Sequence, residues 1–477
     1  MKQAVVIIHG IGEQRPMSTL RSFVSAVLPP ADKGKEHYRS KPDRMSELFE
    51  LRRLTSTGRP TTHFYEYYWA YHVDGTTWWH LLQWFRGLLF RRPSNIPAGL
   101  KTIWRTTWAT TIGLVLLVPL GYGAYFCAWF AELSHFGLGW IVGVVGVMVL
   151  LMLQAFVLYW VGDAARYLSP SPSNIALRQK IRAEGVRLLR QLHRSREYER
   201  IVIVGHSLGS VIGYDIITRL WLDYNESYDF KARASSIEEH LNVHQHPQPV
   251  IGGALLKAGA ALSSDAKPEA LQSFRVTQLE GWKEQRHYGN PWRISDFVTI
   301  GSPLAHAMLL LAESAQDFDD RKGQRELPTC PPVLDEGSYS YVGDQLLLPG
   351  SNKQFSPHIL HHAAAFAVTR WSNLYFPAYG GLFGDFIGGP LNEVLGLGIQ
   401  DIPVRSNSWR RFTPLAHTDY WEAKRLSDKS GSRGGCRDAQ EALKDAIGLD
   451  RLREYRLGAD AKGIATNKVA FTNTLEQ

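Results

Sequence analysis

"IVIVGHSLGSVIGYD", Ile201 to Asp215, decides how this chain is read: four apolar residues run into a Gly-His-Ser-Leu-Gly turn, and helix-like periodicity follows. A serine flanked by glycines, where a buried strand turns sharply into a helix, sits at an elbow too tight for larger neighbours. Its Oγ is exposed there, and the first N–H groups of the helix face developing negative charge. Ser207 is therefore the candidate nucleophile. A plain helix-capping turn is the alternative that the five-residue pattern leaves open.

Upstream, "AVVIIHG", Ala4 to Gly10, reads as a first strand, and "HGIGEQ", His9 to Gln14, as a glycine-rich loop directly after it. A backbone N–H of Gly10 or Ile11 in that loop can serve the same oxyanion as the N–H of Leu208. The one Lys and short β-branched run at the N-terminus suit a strand rather than a signal peptide. A helix over Ser18 to Leu28 and a strand over Thr62 to Ala70 follow. Leu177, Ile181, Leu188 and Leu192 share one face of a helix leading to the elbow, and "SDFVTIGSPL", "WSNLYFP" and "DIPVRS" read as later strands. Short β-branched runs alternating with helices predict an α/β fold, a mostly parallel sheet flanked by helices.

The chain has 477 residues, 44% hydrophobic and 21% charged, so most of it is expected to fold. Cys127, Cys330 and Cys436 are far apart, which predicts neither a disulfide framework nor a zinc site. No motif calls for a metal or a cofactor. "HLNVHQHPQP" and "HILHHAAAFAV" carry several histidines, but the first reads as a solvated loop and the second as a helix with packing or surface roles.

Two uncharged runs stand close together, Thr106 to Ala131 and Phe136 to Gly162, separated by "ELSH". Each of about 26 residues would make roughly 39 Å of helix, enough to span a bilayer. The expectation is an inserted antiparallel transmembrane hairpin. Lys and Arg flank it on both sides and are absent from its turn, which predicts both soluble parts on the cytoplasmic side of the plasma (inner) membrane. The net charge of +8 then lies chiefly beside the membrane, and nucleic acid is not needed to explain it. The predicted segments are 1–100, the first part of the catalytic domain; 101–165, the hairpin; 166–424, its second part with lid-like insertions; and 425–477, a polar and helical tail.

On "HGIG" after a strand, "GHSLG" at the elbow and "FVTIGSPL" on the next strand, the chain resembles the α/β-hydrolase superfamily, in particular its lipase-like branch. The resemblance implies a triad in the order Ser, acid, His, each on a loop at the C-terminal end of a strand. Asp385 in "GLFGDFIGGP" is the first carboxylate after "WSNLYFP" and is the chosen acid, with Asp401 as runner-up. Asp296 opens a strand and belongs at the wrong end of the sheet. His417 in "RFTPLAHTDYW" is the chosen base and His306 its rival, while His206 is expected to orient the turn, its side chain away from the nucleophile's pocket.

The expected chemistry is acyl transfer through Ser207, His417 and Asp385, with Leu208 and Gly10 or Ile11 holding the oxyanion. A membrane anchor favours lipid esters as substrates, and the insertion Asn225 to Asn290, with its apolar "VIGGALLKAGAAL", is expected to be a lid. A protein acyl-thioesterase and a non-catalytic membrane scaffold are the alternatives.

Overall fold

A computed structural model describes residues 2–10, 15–28, 37–46, 48–73, 167–168, 172–243, 248–264, 267–348, 350, 352–378, 384–385, 387–405, 414–421 and 436–455, with isolated positions between 90 and 112. Among these, nine strands form one sheet: β1 Lys2–Ile8, β2 Tyr38–Pro42, β3 Arg52–Ser56, β4 Thr61–Tyr67, β5 Arg200–His206, β6 Ile294–Ile300, β7 Arg370–Tyr375, β8 Gln400–Arg405 and β9 Arg437–Asp438. Their order across the sheet is β9-β8-β7-β6-β5-β1-β4-β3-β2. All neighbours from β9 to β4 are parallel, and β2 and β3 close one edge as an antiparallel pair.

The central strands are continuous apolar runs because both faces of a parallel sheet are covered. Ala4, Val6 and Ile8 of β1 join one core, Val5 and Ile7 the other. The first core is filled from α2 Pro172–Arg194, α3 Leu208–Tyr224, α4 Leu255–Ser264 and α5 Pro268–His287, through side chains such as Ile181, Leu192, Ile216, Leu255 and Trp282. The second is covered by α1 Ser18–Val27 and α6 Ala439–Ile447, through Leu20, Phe23, Val24, Leu443 and Ile447. Register brings the C-terminal ends level: Ile8 stands opposite Tyr67 and Gly205, His206 opposite Ile300, and Ile300 opposite Leu374. The chain leaves β1, β5 and β6 along one edge, beside the end of β7.

The α/β class and the mostly parallel sheet are as expected, but several sequence readings are corrected. Among the described residues no helix is long and apolar enough to cross a membrane. The integral two-helix membrane anchor and the plasma-membrane placement are therefore withdrawn; nearly all of both uncharged runs lies outside the described residues. Absence of charge is necessary for a spanning helix but not sufficient, since a helix buried on all sides of a protein shows it too. The lid expectation also changes. Leu255 and Leu262 in the apolar part of that insertion, and Phe274 and Trp282 after it, are packed in the main core. "HILHHAAAFAV" is not a helix but a short strand, His358–Leu360, followed by a 3-10 turn, Ala365–Ala367. The described part of the C-terminal tail, 436–455, is an integral layer: β9 extends the sheet and α6 packs on it, capped by Asp438, whose carboxylate accepts the N–H groups of Gln440 and Glu441.

Burial sets a pH dependence. It lowers His9, His63 and His361 to about 4, and His193 and His206 to about 3, so all five are neutral inside the fold. The unfolded chain takes up these protons near pH 6.5, so below that it binds more protons than the native state and stability falls with pH. Glu66 and Glu284 act the other way: burial raises them to about 7 and about 8, so the native state keeps protons that the unfolded chain releases above about pH 4.5. Between pH 4.5 and 6.5 the five histidines oppose Glu66 and Glu284, with Asp43, Glu280 and Asp401 raised by burial in the same sense but not as far. The urea midpoint, followed by circular dichroism, is expected to fall over that interval as acid is added; a flat midpoint contradicts neutral burial of the histidines.

Candidate active site

Ser207 follows β5 at φ 52° and ψ −129°, a positive φ that a serine adopts only when its surroundings impose it. Its N–H donates to the Ile300 carbonyl at the end of β6 (2.9 Å), and its carbonyl accepts from Ser210 N (2.9 Å) and Ser210 Oγ (2.5 Å). Leu208 opens α3, so its N–H is one of those with no acceptor inside the helix. Gly10 lies against this elbow: a Cβ added to it would stand 2.8 Å from Ser207 Cβ and 3.1 Å from His206 Nδ1. Ile11, the other expected oxyanion donor, lies outside the described residues.

His9 anchors the loop that carries Gly10. Its ring is fully buried and stacked on Trp69, 5.2 Å between centroids, while Trp69 Nε1 donates to the His9 carbonyl (2.9 Å). His9 Nδ1 is 2.8 Å from the Gly10 carbonyl, which can only accept, so Nδ1 carries the proton.

The candidate acid and base meet. His417, in the short 3-10 helix Pro414–Thr418 that follows β8, places Nδ1 3.0 Å from Asp385 Oδ2, and both side chains are buried. Asp385 is held by four donors: Ile387 N and Gly388 N on Oδ1 (2.9 and 3.0 Å), His417 Nδ1 and the Tyr420 hydroxyl on Oδ2, the last at 2.7 Å. Burial alone would raise this carboxyl. The His417 ring and the hydrogen bonds from His417, Tyr420 and Gly388 outweigh it and hold Asp385 down at about 2. It stays an anion that keeps the His417 proton on Nδ1, so Nε2 presents a lone pair. That nitrogen is buried and has no hydrogen-bond partner among the described residues, Ser207 included. Such contacts often tighten only when substrate is bound.

Gly301 makes this approach possible. It follows β6 at φ +55°, and a Cβ there would lie 3.0 Å from His417 Nδ1 and Cε1 and 2.8 Å from Tyr420 Cε2. Any side chain at that position would force His417 or Tyr420 to shift.

The rivals have other work. Asp401 accepts from Leu391 N, Asn392 N and Asn373 Nδ2 and so anchors the turn before it. Asp296 lies at the opposite end of the sheet, between Arg200 and Arg370. His306 closes the single turn Pro303–His306 after β6.

Two residues take places that the sequence reading did not give them. His206 does not turn away from the site: its ring stacks on His417, 5.0 Å between centroids, and its Nε2 donates to the His417 carbonyl (3.0 Å). Burial, then the neighbouring His417, lowers it to about 3, so it stays neutral beside the base. Tyr420 bridges Asp385 and the end of β7, donating to the carboxylate while accepting from Phe376 N (3.1 Å). Its place three residues after His417 was the only signal for it.

A groove of about 1530 Å³ runs along α2 and α3 past Arg182, Asp215 and Arg219, and Ser207, Asp385 and His417 do not line it. Comparison of the chain with protein-family models, curated proteins and solved structures finds no match, so the function is argued from the site itself.

Proposed function

We propose that this chain is a serine hydrolase of carboxylic esters with an α/β-hydrolase-like catalytic domain. The observation that carries the reading is the buried Asp385–His417 pair, its free Nε2 on the same sheet edge as a serine held at positive φ. Ser207 Oγ attacks the ester carbonyl carbon and its proton passes to His417 Nε2; the carbonyl electron pair moves to oxygen, where Leu208 N–H and Gly10 N–H receive it. Collapse expels the alcohol, protonated by His417, and water repeats the sequence on the acyl-enzyme. Asp385 holds the imidazole tautomer and stabilises the imidazolium.

Lipid esters were favoured by an anchor in the membrane, and that support has gone with the anchor. The substrate class proposed is the carboxylic ester, with a long-chain acyl group as the variant to test beside a short one.

A fluorophosphonate probe tests the reading. The unmodified protein is expected to be labelled and to hydrolyse a p-nitrophenyl ester, and Ser207→Ala is expected to do neither. Absence of labelling in the unmodified protein favours a binding scaffold that keeps the fold without the chemistry.

A further inference from the structure

Beneath the elbow lies a pair of buried hydroxyls with no part in the triad. Ser210 Oγ is 2.6 Å from Ser302 Oγ, and both serines are fully buried. Ser210 belongs to the first turn of α3; Ser302 stands one residue past Gly301 and caps the turn Pro303–His306.

The direction of every hydrogen bond here is determined. The Ser207 carbonyl can only accept, so the one hydroxyl hydrogen of Ser210 is committed to it, at 2.5 Å. Ser210 Oγ must then accept from Ser302, whose single hydrogen is used in turn. Ser302 Oγ accepts from Leu304 N at 3.2 Å. The chain reads Leu304 N–H to Ser302 to Ser210 to Ser207 C=O, each bond polarising the next.

The Ser207 carbonyl and the Leu208 N–H belong to one planar trans peptide unit, so they point in opposite directions. Fixing one aims the other. We propose that Ser302 and Ser210 are positioning residues that lock this peptide plane and thereby aim the Leu208 N–H at the oxyanion. The proposal rests on the serine-hydrolase reading. It also explains how Ser207 keeps its positive φ: the N–H is tied to Ile300 and the carbonyl to the relay, so the peptide units on both sides of the residue are fixed.

A double-mutant cycle tests it, with kcat expressed per fluorophosphonate-titrated site so that misfolded molecules are not counted. Loss of an oxyanion donor costs about 100- to 1000-fold, and a misaimed donor costs part of that. Ser210→Ala is expected to lower kcat about 10- to 100-fold and Ser302→Ala about 3- to 10-fold, with KM within about twofold. Because Ser302 acts only through Ser210, the double variant is expected to match Ser210→Ala within about twofold. Affinity for a trifluoromethyl ketone, whose adduct with Ser207 carries the oxyanion, is expected to fall in step with kcat. Ser302→Thr keeps the hydroxyl and is expected to retain kcat within about twofold, which serves if Ser210→Ala does not fold.

Unchanged kcat in both single variants, or losses that multiply in the double, overturns the relay. An unmodified protein that neither labels nor hydrolyses overturns the hydrolase reading, and the relay falls with it.

Discussion

Replacing His417 with Ala is expected to lower kcat for ester hydrolysis about ten-thousand- to a million-fold, and adding Ser207→Ala to that variant is expected to cost nothing more. The reason is that the two groups act as one unit: without a base the serine hydroxyl keeps its proton, and without the serine the base has nothing to activate. Asp385→Asn is expected to fall less far, about a thousand- to ten-thousand-fold. An amide can donate to His417 Nδ1, which moves the ring proton to Nε2 and removes the lone pair that Ser207 needs. Asp401→Asn is the discriminating control. Its carboxylate holds Leu391 N and Asn392 N rather than a histidine, so kcat per folded molecule should stay near that of the unmodified protein. Steady-state kinetics on the four variants reads all of this. Equal losses in Asp385→Asn and Asp401→Asn contradict the assignment of the acid.

That Ser207, Asp385 and His417 follow strands of one sheet was legible because the strand signals are local. Central parallel strands must be apolar throughout, so "AVVII" and "RIVIV" stand out, and the ends of such strands mark where catalytic loops begin. What could not be read is what depends on partners far along the chain. The last two strands at one edge of the sheet, "YRSKP" and "RRLTS", are charged because most of their residues are exposed or half-buried, so they look like loops. "VIGGALLKAGAAL" has an apolar face whether it closes over a pocket or packs in the core, and only contacts such as that of Leu255 with Gly281 of α5 tell the two apart. His206 was sent the wrong way for the same reason. Alternation along a strand says which face a side chain leaves from, but not that a loop 211 residues later returns to stack on it.

At the other end of the sheet a second large effect is expected, on stability and not on catalysis. Asp296 lies between Arg370, 2.8 Å from Oδ1, and Arg200, 3.2 Å from Oδ2, and it also accepts from Ser295 (2.6 Å) and Tyr455 (2.9 Å). Burial alone would raise its carboxyl, but Arg370 and Arg200 hold it below the ordinary carboxylate range. Arg200 carries the network onward: it donates to Gln3 of β1 and to the carbonyls of Ile447 and Gly448, both at 2.7 Å, and stacks its guanidinium 4.0 Å from the Tyr455 ring. One carboxylate thus ties β5, β6 and β7 to the C-terminal layer. Removing it in Asp296→Ala leaves two buried guanidinium groups facing each other without an anion, which is expected to cost about 3–5 kcal/mol of unfolding free energy, read from the urea midpoint. Since the pair is out of water, 0.5 M salt should not reproduce the loss, unlike a surface ion pair, which added salt weakens. The network lies at the end of the strands away from Ser207, so kcat per titrated active site should be unchanged in the same variant. A loss below about 1 kcal/mol would mean that Arg200 and Arg370 find other partners or water, and a fall in kcat would mean that the C-terminal layer shapes the catalytic edge.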